Sequence, residues 1–208
     1  MTQNEQILAE LQRLYPNAAP ELHFSNPYET LVATMLSAQC TDKRVNMVTE
    51  KLFKEFTCCT ELAALTPEEL EPHIRQCGLY HNKAKNIVAA CRVICEQYNG
   101  EVPGDWDALV KLPGVGRKTA NVVWANAFGG DAIAVDTHVF RVSNRLGLAD
   151  AKDVEKTEQQ LQQVIPKSNW SKAHHWLIFH GRRVCSARAP KCETCTLAAL
   201  CKYHNNAQ

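Results

Sequence analysis

Cys185, Cys192, Cys195 and Cys201 are separated by six, two and five intervening residues, with no histidine in the set. Four thiolates in one short segment are the ligand set of an iron–sulfur cluster or of a structural zinc. Upstream, Leu112-Pro113-Gly114-Val115-Gly116-Arg117-Lys118-Thr119 carries different chemistry. Gly114 and Gly116 allow a tight turn between helices and let the backbone come close to another molecule. Amides at the start of the following helix then form an anion site, for which a DNA phosphate is the natural occupant. With Val115 between the glycines and the basic Arg117 after them, the segment predicts a helix-hairpin-helix DNA clamp. A plain helix connector would need only one glycine.

Lys118 falls in the first turn of that helix, where a cation opposes the helix dipole. One reading makes it a phosphate contact. The other uses the same unfavourable placement: the positive helix end disfavours the ammonium and raises the fraction of free amine. A free amine can attack a carbonyl-like carbon and form a Schiff base. Further on, Ile133-Ala134-Val135-Asp136-Thr137-His138-Val139 is an apolar approach interrupted by an acid. Asp136 reads as a helix N-cap. A capping carboxylate is also fixed in place, so it could stabilise positive charge on a sugar or assist proton transfer. His138, one turn on, could contact a phosphate or simply pack.

These residues need a scaffold, and the patterning predicts an all-α one. No stretch alternates like a strand, whereas helical apolar stripes recur. Ile7, Leu8, Leu11 and Leu14 form one that stops near Pro16. A second run, 28–36, follows Asn26-Pro27, and a third is capped by Thr41 or Asp42. Thr66-Pro67-Glu68-Glu69 is a capping box with proline at the first helical position. A long helix over 81–98 ends toward Gly100, and Asp105 caps a short one reaching about Leu112. Further helices fit from Gly116 to Phe128, after Asp136, and over 154–164 and 170–183. Gly129-Gly130 is the best hinge.

The 208 residues carry a formal charge of +1, so any nucleic-acid surface must be local. Residues 181–208 supply one, with Arg182, Arg183, Arg188, Lys191 and Lys202 against the single acid Glu193. The start lacks the basic and apolar regions of a signal peptide, and no apolar run is long enough to span a bilayer. A cytoplasmic location with reduced thiols follows as an expectation. The six cysteines outside the C-terminal set, Cys40, Cys58, Cys59, Cys77, Cys91 and Cys95, are then expected to be buried free thiols.

Taken together, these motifs resemble the endonuclease III family, the iron–sulfur DNA glycosylase/AP lyases of the helix-hairpin-helix superfamily. The segments that carry the likeness are Ser37-Ala38-Gln39-Cys40-Thr41-Asp42, the Leu112–Thr119 hairpin and Val135-Asp136-Thr137-His138. They continue with His175-Trp176-Leu177, His180-Gly181-Arg182 and the four-cysteine ending. Together they span about residues 5–203. The resemblance implies two α-helical lobes. Residues 22–132 would form a six-helix barrel with the hairpin. Residues 1–21 and 133–208 would form an iron–sulfur domain.

The resemblance also implies roles. Lys118 matches the Schiff-base nucleophile and Asp136 the essential carboxylate. The four cysteines match the ligands of a [4Fe–4S] cluster, which displaces zinc. Gln39 matches the residue that fills the gap left by a flipped base, and Leu79 a second wedge. DNA contacts would come from Gly114, Val115, Gly116 and Arg117, and further from His138, Arg188 and Lys191. The implied activity is removal of oxidised pyrimidines from double-stranded DNA, or attack at abasic sites, by a monomer. In that chemistry Lys118 displaces the base at C1′, and β-elimination cuts the strand on the 3′ side. Two departures stand out: Ala189 lies where related chains carry a basic residue, and Cys40 where a smaller one such as alanine is expected.

Three alternatives differ from this reading. An adenine glycosylase or a mismatch-type thymine glycosylase of the same superfamily is disfavoured by Lys118. The adenine group also carries an extra C-terminal domain. A non-catalytic DNA-binding module with a structural or redox-sensing cluster would leave Lys118 and Asp136 without a shared purpose.

Overall fold

The computed structural model describes residues 1–206, and among these it is helical throughout, with no strand. The chain divides into two compact units. One is continuous, residues 20–130; the other combines residues 1–19 with the described part of 131–208.

The discontinuous unit begins with α1 (Gln3–Leu14), started by a Thr2–Glu5 capping box. The continuous unit follows. Its α2 (Pro27–Leu36) is capped by Asn26, whose side chain accepts from the Glu29 amide at 2.9 Å. Residues 30–36 of α2 are all buried, as expected of a helix that is apolar all round. Its two threonines fit because their hydroxyls donate back to the carbonyls of Asn26 and Thr30. Around it lie α3 (Asp42–Glu55), α4 (Cys59–Ala63), α5 (Pro67–Ile74), α6 (Tyr80–Tyr98), α7 (Trp106–Leu109) and α8 (Arg117–Phe128). Leu31, Leu36, Leu52, Leu70, Ile87 and Ile94 are among its fully enclosed side chains.

The chain then returns to the discontinuous unit with α9 (Thr137–Leu146), α10 (Val154–Val164), α11 (Trp170–Arg183) and the short α12 (Lys202–Asn205). Ile7 and Leu11 of α1 share a buried cluster with Ile133, Val139, Leu161 and Leu177. This explains why nineteen N-terminal residues belong with the C-terminal part. Between α11 and α12 the chain makes only single 3-10 turns, at Cys192–Thr194 and Ala198–Leu200.

Three features differ from the sequence expectation. The helix after Asp105 stops at Leu109, because the chain must turn before Pro113 and Gly114. The five-residue α4 was not anticipated at all. Of the six cysteines outside the C-terminal set, Cys59, Cys77 and Cys91 are buried, whereas Cys40, Cys58 and Cys95 are only half-buried. No helix among the described residues is long and apolar enough to cross a membrane.

Candidate functional sites

The hairpin between α7 and α8 is closed by the Val115 amide donating to the Leu112 carbonyl at 3.0 Å. Gly114 sits at φ 73°, and a Cβ there would come within 2.6 Å of the Asn86 side chain on α6, so both conformation and space demand glycine. Gly116 is different. Its backbone is extended, at φ −84°, ψ 174°, and a Cβ would meet nothing within 4 Å. Nothing inside the protein requires glycine at 116, which leaves room for a close neighbour from outside. Gly116 is also the N-cap of α8 and offers no side chain to cap it. Val115 is buried, so only its backbone can face a ligand. Arg117 lies over the Trp106 ring, 5.2 Å from its centroid, and Lys118 in the same first turn is exposed.

Two further turns of the continuous unit stand out by their backbone. Only three non-glycine residues among those described have positive φ: Gln39 at 52°, Leu79 at 47° and Asn99 at 53°. Asn99 ends α6, where asparagine tolerates the left-handed form. Gln39 and Leu79 have no such excuse, and a left-handed side-chain residue costs about 1–2 kcal/mol. Each is exposed, Leu79 at 56% of its surface, although a leucine gains most from burial. Strain held at an exposed apolar residue directs attention to function.

Both turns are tied to Lys83, a residue the sequence did not single out. Lys83 is 6% exposed, and its Nζ donates to the carbonyls of Leu36 at 2.9 Å and Cys77 at 2.7 Å. Burial pushes its pKa below the ordinary lysine value, with the Cys77 and Cys40 thiols pulling the other way. Charge-assisted hydrogen bonds are worth roughly 1.5–3 kcal/mol each, enough for two of them to offset much of the cost of enclosing the ammonium. The Cys77 thiol, pushed up to about 12 by burial first and then by its Cys40 neighbour, closes the same gap.

In the discontinuous unit, Asp136 is half-buried and caps α9 twice over. Its Oδ1 accepts from the amides of His138 and Val139, both at 2.8 Å. The preceding Ile133, Ala134 and Val135 are buried, and the Ala134 carbonyl accepts from His174 Nδ1 at 2.6 Å, which fixes the approach to the carboxylate. His138 Nδ1 lies 3.1 Å from the Arg141 guanidinium, and its Cβ packs over Gly181.

All four C-terminal cysteines line one cavity, together with Leu146 and His180. Burial pushes the Cys195 thiol up, and the charges of Cys201, Cys185 and Cys192 act on it in the same direction. Among the described residues no group of three or more His, Cys, Asp or Glu is arranged to hold a single metal ion.

Two arginines of α9 hold this segment, and sequence reasoning missed both. Arg141 donates to the carbonyls of Cys185 and Gly181 at 3.1 Å. Arg145 donates to the carbonyls of Ser186 at 2.7 Å and Ala187 at 2.9 Å, and its Nη1 lies 3.4 Å from the Cys185 sulfur. Their spacing of four residues puts both on one helix face, the only signal the sequence offered. A third support comes from His180, whose Nε2 is 3.7 Å from Cys195 Sγ while its Nδ1 meets the Tyr15 hydroxyl at 3.0 Å. Arg188 and Lys191 are exposed on the loop between the first two cysteines.

Comparison with known proteins places these features in a family. The model of the HhH-GPD superfamily base excision DNA repair proteins matches residues 32–167. Endonuclease III of Bacillus subtilis (strain 168) is 52% identical, over 97% of this chain and 93% of that one. Endonuclease III of Escherichia coli (strain K12) is 48% identical, over 95% and 94%. A solved structure of a trapped endonuclease III–DNA covalent intermediate, an estranged-adenine complex, superposes with a TM-score of 0.93. It is 49% identical and covers 100% of this chain and 99% of its own.

Proposed function

The chain belongs to the endonuclease III family of the HhH-GPD base excision repair superfamily, and we propose that Lys118 and Asp136 carry out its DNA glycosylase/AP lyase reaction. The single observation behind this reading is the full-length likeness to a protein trapped covalently on DNA. A covalent intermediate needs a nucleophile, and Lys118 is an exposed amine in the first turn of the hairpin helix.

The target atom lies inside the duplex stack, so the nucleotide must be flipped out, at a cost least for a damaged base. Oxidised pyrimidines are the proposed substrates. The hairpin amides and Arg117 hold a backbone phosphate, with Arg188, Lys191 and His138 adding contacts along the strand. Lys118 Nζ attacks C1′, forming a C–N bond as the bond to the base breaks. The C1′–O4′ bond then opens as O4′ takes a proton, and the resulting iminium acidifies C2′. Loss of that proton expels the 3′ phosphate and cuts the strand. Asp136, held by two amides, stabilises positive charge on the sugar and assists proton transfer at the lysine. Gln39 and Leu79 enter the gap. The Gln39 amide can donate to and accept from the edge of the orphaned base, and Leu79 acts as an apolar wedge.

Cys185, Cys192, Cys195 and Cys201 are proposed to hold a [4Fe–4S] cluster in the domain built from both ends of the chain. An all-thiolate set lining one cavity is chemically suited to such a cluster. Bound there, such a cluster would cross-link four points of a segment with little helix of its own. The proposed location is the cytoplasm, on the chromosome.

A duplex with one oxidised pyrimidine tests this reading. Base release together with a 3′-side strand cut is expected. Base release without a cut would remove the lyase, and no release would remove the substrate class. Purified protein should contain about four irons per chain with matching sulfide. One zinc and no iron would overturn the cofactor.

A further inference from the structure

Gln39 and Leu79 stand on two loops distant in sequence, and both side chains must be presented together to enter the gap. Resting on that wedge reading, we propose that Lys83 is a positioning residue that sets the spacing of the two turns for insertion into DNA.

Three observations support this. First, the two carbonyls that Lys83 Nζ binds are those of Leu36 and Cys77. Leu36 ends α2 and Cys77 ends the 3-10 turn Arg75–Cys77. Carbonyls at helix ends lack internal partners and carry partial negative charge. One buried ammonium therefore satisfies and joins two helix termini. Second, each joined carbonyl is a launching point. Gln39 lies three residues beyond Leu36, Leu79 two beyond Cys77, and both adopt the left-handed backbone that turns the chain outward. Third, the neighbouring contacts have the same purpose. The Cys40 thiol, beside Gln39, meets the Cys77 thiol across the gap. Lys83 itself is anchored in the first turn of α6, its amide donating to the Leu79 carbonyl at 3.1 Å. The side chain thus reaches the Gln39 turn from the element that begins with Leu79.

A neutral or apolar residue at 83 could fill the same space. It could not bind two carbonyls at once, and the turns would lose their common reference point. An error of about 1 Å in placing groups can cost up to 10²-fold in rate. The loss should fall on the step that inserts the wedges. It should spare the step that follows once a sugar is accessible.

The test compares excision of an oxidised pyrimidine with cleavage of an isolated abasic site, as the ratio of their kcat/KM values. Wild type, Lys83→Met, Gln39→Ala, Leu79→Ala and the double variants are measured beside their melting temperatures. Lys83→Met should lower the ratio by roughly tenfold or more, and adding Gln39→Ala or Leu79→Ala should lower it little further, because groups acting as a unit are not additive. If the two alanine variants lower the ratio and Lys83→Met does not, the wedges stand and the role of Lys83 falls. Equal loss of both activities in Lys83→Met, in step with its melting temperature, would show a purely structural lysine. If neither alanine variant changes the ratio, the wedge reading fails and this proposal fails with it. Should Lys83→Met melt below the assay temperature, Lys83→Arg decides. It keeps the charge but replaces a compact ammonium with a wider planar fork. A reduced ratio is expected, and an unchanged one overturns the proposal.

Discussion

The two units of this protein are held together in different ways. The continuous unit is an apolar construction: seven helices enclose leucines and isoleucines, and its one buried cation is Lys83 among the described residues. The discontinuous unit buries His174, His175 and His180 beside its apolar cluster, and its last stretch has only 3-10 turns and one short helix. Arginines from α9 and a histidine from α11 brace that stretch by hydrogen bonds to its backbone and to Cys195. The contrast matches the proposed division of labour. A rigid apolar body presents the hairpin, Lys118 and two strained turns. A more polar body carries the doubly capped carboxylate and a basic loop.

The largest effect expected is at Lys118. Lys118→Gln should bind DNA and melt like wild type, yet lose strand cleavage and covalent trapping completely. Residual cleavage near the wild-type rate would remove Lys118 as the nucleophile. Next is Asp136→Asn. Asparagine and aspartate cap helices about equally well, so stability should change little. Removing one positioned electrostatic group should lower kcat by roughly 10²–10³-fold. Normal turnover would reduce Asp136 to a helix cap.

The third prediction separates the units by their supports. Cys201→Ser removes one ligand from the segment that lacks packing of its own. Hydrogen exchange should rise across 184–206 while α2 and α6 stay protected, and iron content should fall well below four. Uniform loss of protection in both units would contradict the contrast drawn here. Arg145→Ala should act on the same segment more weakly, loosening the 185–188 loop without abolishing iron binding. A variant fully devoid of iron would make that arginine as important as a ligand.

A further effect is one of pH. Burial, and then His174, hold the His175 pKa at about 3, below its ordinary 6.5. Folding therefore favours the neutral ring. Its contribution is complete above pH 6.5 and is lost as pH falls from 6.5 toward 3, by roughly 1 kcal/mol per pH unit. Acid should open the discontinuous unit first, and His175→Gln should flatten that dependence. Melting followed at several pH values by a probe in each unit checks both points.

Much of the fold was legible because its signals are local. Asn26-Pro27, the Thr66 capping box, Asp105 and Asp136 each mark a helix start through a side chain that reaches only two or three residues. The helices at 154–164 and 170–183 follow from apolar periodicity. The α4 helix was hidden because five residues show no period, and packing on α6 decides its form. The candidate residues were legible by type, but their settings were not. Val115 sits inside the core, which a sequence cannot separate from a valine facing DNA. Arg141 and Arg145 look like a solvated helix face until the cysteine loop folds over them. Lys83 falls on the buried stripe of α6 with Ile87 and Cys91, a pattern that suggests enclosure but names no partner. The left-handed backbones of Gln39 and Leu79 are invisible in residues that rarely adopt them.

The most direct test of the central claim is borohydride reduction of the wild-type protein on abasic-site DNA, followed by proteolysis and mass mapping of the adduct. A stable protein–DNA conjugate is expected, its sugar remnant on the peptide containing Lys118, and none with Lys118→Gln. A conjugate mapped to any other amine, or one that persists undiminished in that variant, would contradict it.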